Sequence, residues 1–191
     1  VASQAGGLAV SHIAAWDGAA WSALGLGVSR FNIGTLPATT EAVAVDAAGR
    51  VFIGGNFNRV GGAPANNIAM WDGSRWHAMG GGVTPGPDGK VEALLVVGDN
   101  LYVGGRFTQA GGQSARSIAR WHIPTQTWAP VGAGFDGPVL ALAFGDGTLY
   151  AGGSFERAGS TLARDVAAWD GAAWRALGGD WEIFEVLDSG N

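Results

Sequence analysis

The sequence predicts an all-β fold built of repeated four-stranded antiparallel sheets, and three observations carry that expectation. Ile13-Ala14-Ala15-Trp16 recurs as Ile68-Ala69-Met70-Trp71, Ile118-Ala119-Arg120-Trp121 and Val166-Ala167-Ala168-Trp169, at spacings of 55, 50 and 48 residues. A period of about 50 marks units that bury their apolar faces only against their neighbours. Glycine occurs 34 times in 191 residues, which favours tight turns over helices. No segment sustains the 3.6-residue apolar period of an amphipathic helix.

Within a unit the elements follow in fixed order. The first strand is an apolar run: Ala42-Val43-Ala44-Val45, Val91 to Val97, Val139 to Phe144. A turn leads to a second strand that ends in diglycine and an aromatic, as in Val51-Phe52-Ile53-Gly54-Gly55-Asn56-Phe57, Leu101 to Phe107 and Leu149 to Phe155. A second glycine turn follows at Gly61-Gly62, Gly111-Gly112 and Gly159-Ser160, and the Ile-Ala-x-Trp run is the third strand. Asp17-Gly18, Asp72-Gly73 and Asp170-Gly171 mark hairpins to a fourth strand carrying Trp21, Trp76, Trp128 or Trp174. Four-stranded units of this length that stack face to face describe the blades of a β-propeller. Burial on both faces would explain why the first strand is nearly continuous in apolar residues.

The expected boundaries are a partial blade over 1–28, whole blades over 41–83, 91–134 and 139–179, and an extra strand within 180–191. Such an arc exposes blade faces and strand edges, an aggregation hazard. It is expected to close with a second copy of itself or with the remainder of a longer propeller.

Composition narrows the function. Hydrophobic residues make up 47% of the chain, which argues against disorder, and charged residues only 14%. The net charge of −5 argues against nucleic acid and gives anionic lipid no basic face. No apolar run approaches the roughly 18 residues of a helical membrane span, and the opening residues form no signal peptide. Cysteine is absent, so disulfides, thiolate metal sites and Cys nucleophiles are excluded.

The diglycine ending the second strand, followed by aromatics on the third and fourth, resembles the kelch repeat, and Trp121-His122-Ile123-Pro124-Thr125-Gln126-Thr127-Trp128 carries the kelch spacing of aromatic, turn and tryptophan. The fuller pattern is similar to bacterial secreted kelch-like propellers and to the extracellular repeats of the fungal cortical polarity marker family. The resemblance covers nearly the whole chain. It implies a scaffold or surface protein, extracellular or on the cell surface. Kelch propellers also include a copper oxidase with Cys, Tyr and His ligands, and a chain without cysteine cannot carry that chemistry over. No cofactor and no metal is expected.

Several residues compete for a functional role. Glu41, Glu92 and Glu185 share one repeat position at the start of the first strand, where the fourth equivalent is Leu140. They would ring the mouth of a central channel and offer oxygen ligands to a cation; the plainer reading is solvated strand-end charge. Arg30, Phe31 and Asn32 open the longest connection between units, and loops on a rigid scaffold are where binding concentrates. The tryptophan pairs are either sugar-stacking platforms or packing between units, and strict repetition favours packing; Trp181 falls outside the repeat. His12, His77 and His122 occupy three different repeat positions, which speaks against a shared zinc site. Gly132-Ala133-Gly134-Phe135-Asp136-Gly137 matches a dinucleotide fingerprint but leads into a strand, with no helix N-terminus to hold a phosphate. Arg59, Arg116, Arg157 and Arg164 flank the second glycine turns and are expected to pair with acidic residues across blades.

The function expected from these features is a binding or scaffold propeller without catalysis, which engages protein or glycan through loops at one end. The alternatives are a propeller lectin with repeated Trp-lined sugar sites and a hydrolase acting at the channel mouth.

Overall fold

The computed structural model describes residues 3–30, 37–84 and 89–177. Among them all regular structure is strand, 24 strands in all and no helix. Three four-stranded antiparallel sheets follow one another along the chain. The first orders β6 (Thr39–Val45), β7 (Val51–Asn56), β10 (Ile68–Trp71) and β11 (Trp76–Ala78). The second orders β13 (Lys90–Val97), β14 (Asn100–Arg106), β17 (Ile118–His122) and β18 (Thr127–Pro130). The third orders β19 (Val139–Gly145), β20 (Thr148–Gly153), β23 (Val166–Trp169) and β24 (Trp174–Ala176). Ahead of them β3 (Ala14–Trp16) and β4 (Trp21–Ala23) form a two-stranded sheet of the third-and-fourth-strand type. No sheet closes on itself among the described residues.

Four strands per unit proves an undercount. The second glycine turn is itself a small hairpin: β1 (Ser3–Ala5) with β2 (Leu8–Val10), β8 (Arg59–Val60) with β9 (Ala63–Pro64), β15 (Gln109–Ala110) with β16 (Gln113–Ser114), and β21 (Arg157–Ala158) with β22 (Thr161–Leu162). The glycine-rich segments between units are strands as well. β5 (Val28–Ser29) pairs with β8 of the following unit, β12 (Val83–Thr84) with β15, and Phe135 bridges Ala158. Two-residue strands are too short to leave a period in the sequence.

The sheets pack face to face, with β13 against β6 and β7 on one side and β19 on the other. Because alternate side chains leave a strand on opposite faces, Leu94 and Val96 join the core shared with the first sheet while Leu95 joins the core shared with the third. Among the first strands, burial on both faces therefore holds for β13 alone. At the outer strands the expectation fails: Val43 and Val45 on β6, and Leu140 and Phe144 on β19, are exposed, because each of these strands packs against only one other four-stranded sheet among the described residues.

The diglycine is a close-approach device. A side chain on Gly54 would strike Val91 of the next unit, and one on Gly104 would strike Val139. A side chain on Gly55 or Gly105 would strike the carbonyl oxygen of Thr39 or Lys90 on the paired first strand. The first glycine thus lets sheets approach, and the second lets strands approach where the ladder slips.

Tryptophan joins the units in one direction. The Nε1–H of Trp76 donates to the Leu24 carbonyl of the preceding unit at 2.7 Å, that of Trp128 to Met79 at 2.9 Å and that of Trp174 to Val131 at 3.1 Å. Each pair, such as Trp121 and Trp128 with centroids 5.1 Å apart, lies against the glycine that follows the accepting residue: Gly25, Gly80 or Gly132. Packing between units is therefore the role of three of the four pairs. Trp16 and Trp21, 53% and 45% exposed, stand uncovered.

Candidate functional site

Two junctions between units build a cleft from corresponding segments. Its walls are the segment that leaves the preceding unit, the end of the second strand with the two residues after it, and the residue just before the third strand. That last residue is left-handed each time: His12, Asn67, Ser117 and Asp165 have φ of 62° to 65°. From Asn67 onward its N–H donates to Phe57, Phe107 or Phe155 and its carbonyl accepts from Gly55, Gly105 or Gly153. The backbone is thus fixed independently of the side chain, and the side chain is free to vary.

The Arg30 cleft encloses about 50 Å³. Its polar lining is Arg30, Asn56, Asn58, Asn66, Asn67 and Thr84, without a carboxylate. Asn67 is buried and serves the scaffold: its Oδ1 accepts from Phe57 N at 3.1 Å and its Nδ2 donates to Val83 O at 3.2 Å. Asn66 Nδ2 donates to Gly81 O at 2.8 Å. Arg30 is half-buried, and its Nε and Nη1 are enclosed with no hydrogen-bond partner.

The corresponding cleft two units later is open, about 390 Å³, and lined by Asp136, Gly137, Ser154, Phe155, Glu156 and Asp165. Gly137 stands in the place of Arg30, Ser154 of Asn56, Glu156 of Asn58 and Asp165 of Asn67. Asp136 Oδ1 accepts from Arg157 N at 2.9 Å and Glu156 N at 3.0 Å. In the other two junctions the amides matching Glu156, those of Asn58 and Thr108, donate instead to the carbonyls of Ser29 and Thr84. A side chain has replaced a backbone acceptor. The Arg157 N–H, foremost, then the Glu156 N–H and the Arg157 charge hold the Asp136 carboxyl below its ordinary pKa, against the opposing effect of desolvation.

The residues singled out by sequence are scattered. Glu41, Glu92 and Leu140 occupy the same β-bulge in three units, where the ladder slips between Thr40 and Ala42, Val91 and Ala93, and Val139 and Ala141. A bulge leaves its residue out of the ladder and re-aims the side chain. Glu41 is exposed, while Glu92 binds Lys90 Nζ at 2.7 Å. Glu185, Phe31, Asn32 and Trp181 lie outside the described residues, and no group of three potential metal ligands occurs within them. Arg59 Nη1 donates to Gly62 O and Arg157 Nη1 to Ser160 O, each inside its own hairpin, and the Arg157 charge also acts on Asp136 of the segment leaving the preceding unit.

His77 Nε2 lies 2.6 Å from Asp72 Oδ2, and Ser74 Oγ donates to Asp72 Oδ1 at 2.8 Å. Serine and histidine both bind the carboxylate rather than each other, the arrangement of a capped turn and not of a nucleophile with its base. Asp17 and Asp170 cap their Asp-Gly turns through the amides two and three residues on.

The clefts escape sequence reasoning because their walls come from three separated segments. A signal existed nonetheless. Aligning the repeats places Asn58, Thr108 and Glu156 in one column and Asn67, Ser117 and Asp165 in another, and these columns vary in charge between invariant glycines and aromatics. No protein-family model matches the chain, and no curated protein is similar to it.

Proposed function

We propose that this chain is a binding scaffold without catalysis, its sheets serving as blades of a kelch-like propeller outside the cell or on its surface. It engages protein or glycan at the clefts between units, and its ring closes with a second copy or with the rest of a longer propeller. One observation carries this reading: a rigid junction recurs with its backbone unchanged while the cleft it supports passes from amide and guanidinium to carboxylate lining. Binding proteins place variable side chains on constant frames, and loops between rigid elements supply them. The face-to-face packing of successive sheets supports the blade arrangement.

Among the described tryptophans the lectin alternative draws support only from Trp16 and Trp21, since the other pairs are engaged in junctions. Amide-resolved NMR against a peptide and glycan panel tests the proposal. Saturable shifts at 29–30, 56–58, 136–137 or 154–156 are expected. Shifts confined to Trp16 and Trp21 with a sugar would replace it with the lectin reading. Turnover of an esterase, lactonase or glycosidase substrate that is lost in Glu92→Gln would replace it with the hydrolase. Light scattering reads the closure: twice the mass of one chain is expected for a ring of two copies.

A further inference from the structure

We infer that the Arg30 cleft receives the side-chain carboxylate of an acidic peptide segment in a partner protein. The inference rests on the reading of the junction clefts as binding sites and names the ligand of one of them. Arginine is always charged and offers five N–H donors with no acceptor of its own. Enclosing such a donor without a partner is costly, yet Nε and Nη1 of Arg30 are in that condition. Among the described lining residues none supplies a compensating charge, for the other polar ones are amides and a threonine. Of these, Asn66 and Asn67 direct their amide nitrogens to Gly81 and Val83. A ligand must therefore bring the negative charge, and a carboxylate is the group whose geometry matches a guanidinium.

Size and lining choose the source. One water needs roughly 10–15 Å³, so about 50 Å³ admits the three heavy atoms of a carboxylate head but not a sugar ring. Among the described lining residues the one aromatic is Phe57, and at 1% exposure it offers no face for a ring to stack on. The carboxylate-lined counterpart at Asp136 would repel the same ligand, so the preference belongs to one junction only.

The test uses the full chain with a fluorescein-labelled tetraglutamate peptide, its tetraglutamine counterpart and free glucuronate. Tetraglutamate is expected to bind saturably, to weaken with added salt and to shift the Arg30 Nε–H signal in ¹⁵N NMR, while tetraglutamine does none of these. Arg30→Gln is expected to weaken binding at least ten-fold with its amide spectrum otherwise retained, Arg30→Lys to weaken it less, and Arg75→Gln, at an exposed arginine outside both clefts, to leave it unchanged. Equal affinity in Arg30→Gln, or a still Nε–H signal under saturating peptide, overturns the inference. Tighter binding of glucuronate than of peptide overturns the choice of peptide in favour of an acidic sugar. If Arg30 stays silent while ligands of the wider panel shift 136–137 or 154–156, only the inference falls. Silence of every cleft sinks the binding reading as well.

Discussion

The Arg30 and Asp136 clefts stand at one repeat position and differ in almost everything the repeat leaves free. The first is tight, amide-lined and cationic; the second is wide and carries three carboxylates. The residue before the third strand shows why. Asn67 is buried and ties two segments together through its side chain, whereas Asp165 is exposed and holds its place through backbone hydrogen bonds alone. The same backbone can thus be closed by a side chain that bonds across it or opened by one that does not. A constant frame with a variable floor is what a family of related sites requires.

The largest effect would come from breaking the frame that both clefts share. Ile118 is fully buried in the core between the second and third sheets, and Ile118→Ala should cost about 2–5 kcal/mol, read as a fall in the denaturant midpoint. Loss of order at 154–165 with 56–67 untouched would show that the junctions stand independently. Next, Gly132 has φ +58°, and a Cβ there would lie 2.7 Å from the Trp169 ring. Gly132→Ala should cost about 1–3 kcal/mol and speed amide exchange around Asp136 more than around Arg30. Third, the two floors can be exchanged. Asn67→Asp removes the donor to Val83 O and should cost about 1–3 kcal/mol, while Asp165→Asn should stay within about 0.5 kcal/mol. Equal costs from thermal unfolding would erase the distinction between them.

The smallest effect is set by pH. The folded-state pKa of Asp136 lies below its unfolded value of about 3.9, so its contribution is complete above that value and is lost as pH falls through the folded pKa. Acid titration should move the Glu156 and Arg157 amide signals and leave the Asn58 amide, which donates to a carbonyl, in place. A parallel shift at Asn58 would mean that acid loosens the whole scaffold instead.

Much of this architecture is legible in the chain. The Ile-Ala-x-Trp runs, the Asp-Gly hairpins and the diglycine strands all became strands and turns where the pattern put them, and repetition identified three of the four tryptophan pairs as packing. Arg30 was found because its connection is longer than its counterparts. Other features are invisible to pattern. Glu41 and Glu92 read as strand-end charges, and only pairing against Gly55 and Gly105 makes them bulges. β5 and β12 read as turns because two residues cannot show alternation, and their partners lie in the next unit. The clefts needed three dimensions, since Arg30 meets Asn67 only after one unit folds onto the next.

The indole-to-carbonyl bonds all point toward the amino terminus, and this gives the stack a polarity that its symmetry hides. Melting one unit strips a hydrogen-bond donor from the unit before it and deprives the indole after it of its acceptor. Neighbours so linked should lose structure as coupled pairs rather than singly, and the loss should spread unevenly, because an orphaned carbonyl and an orphaned indole N–H are not equally easy for water to reach.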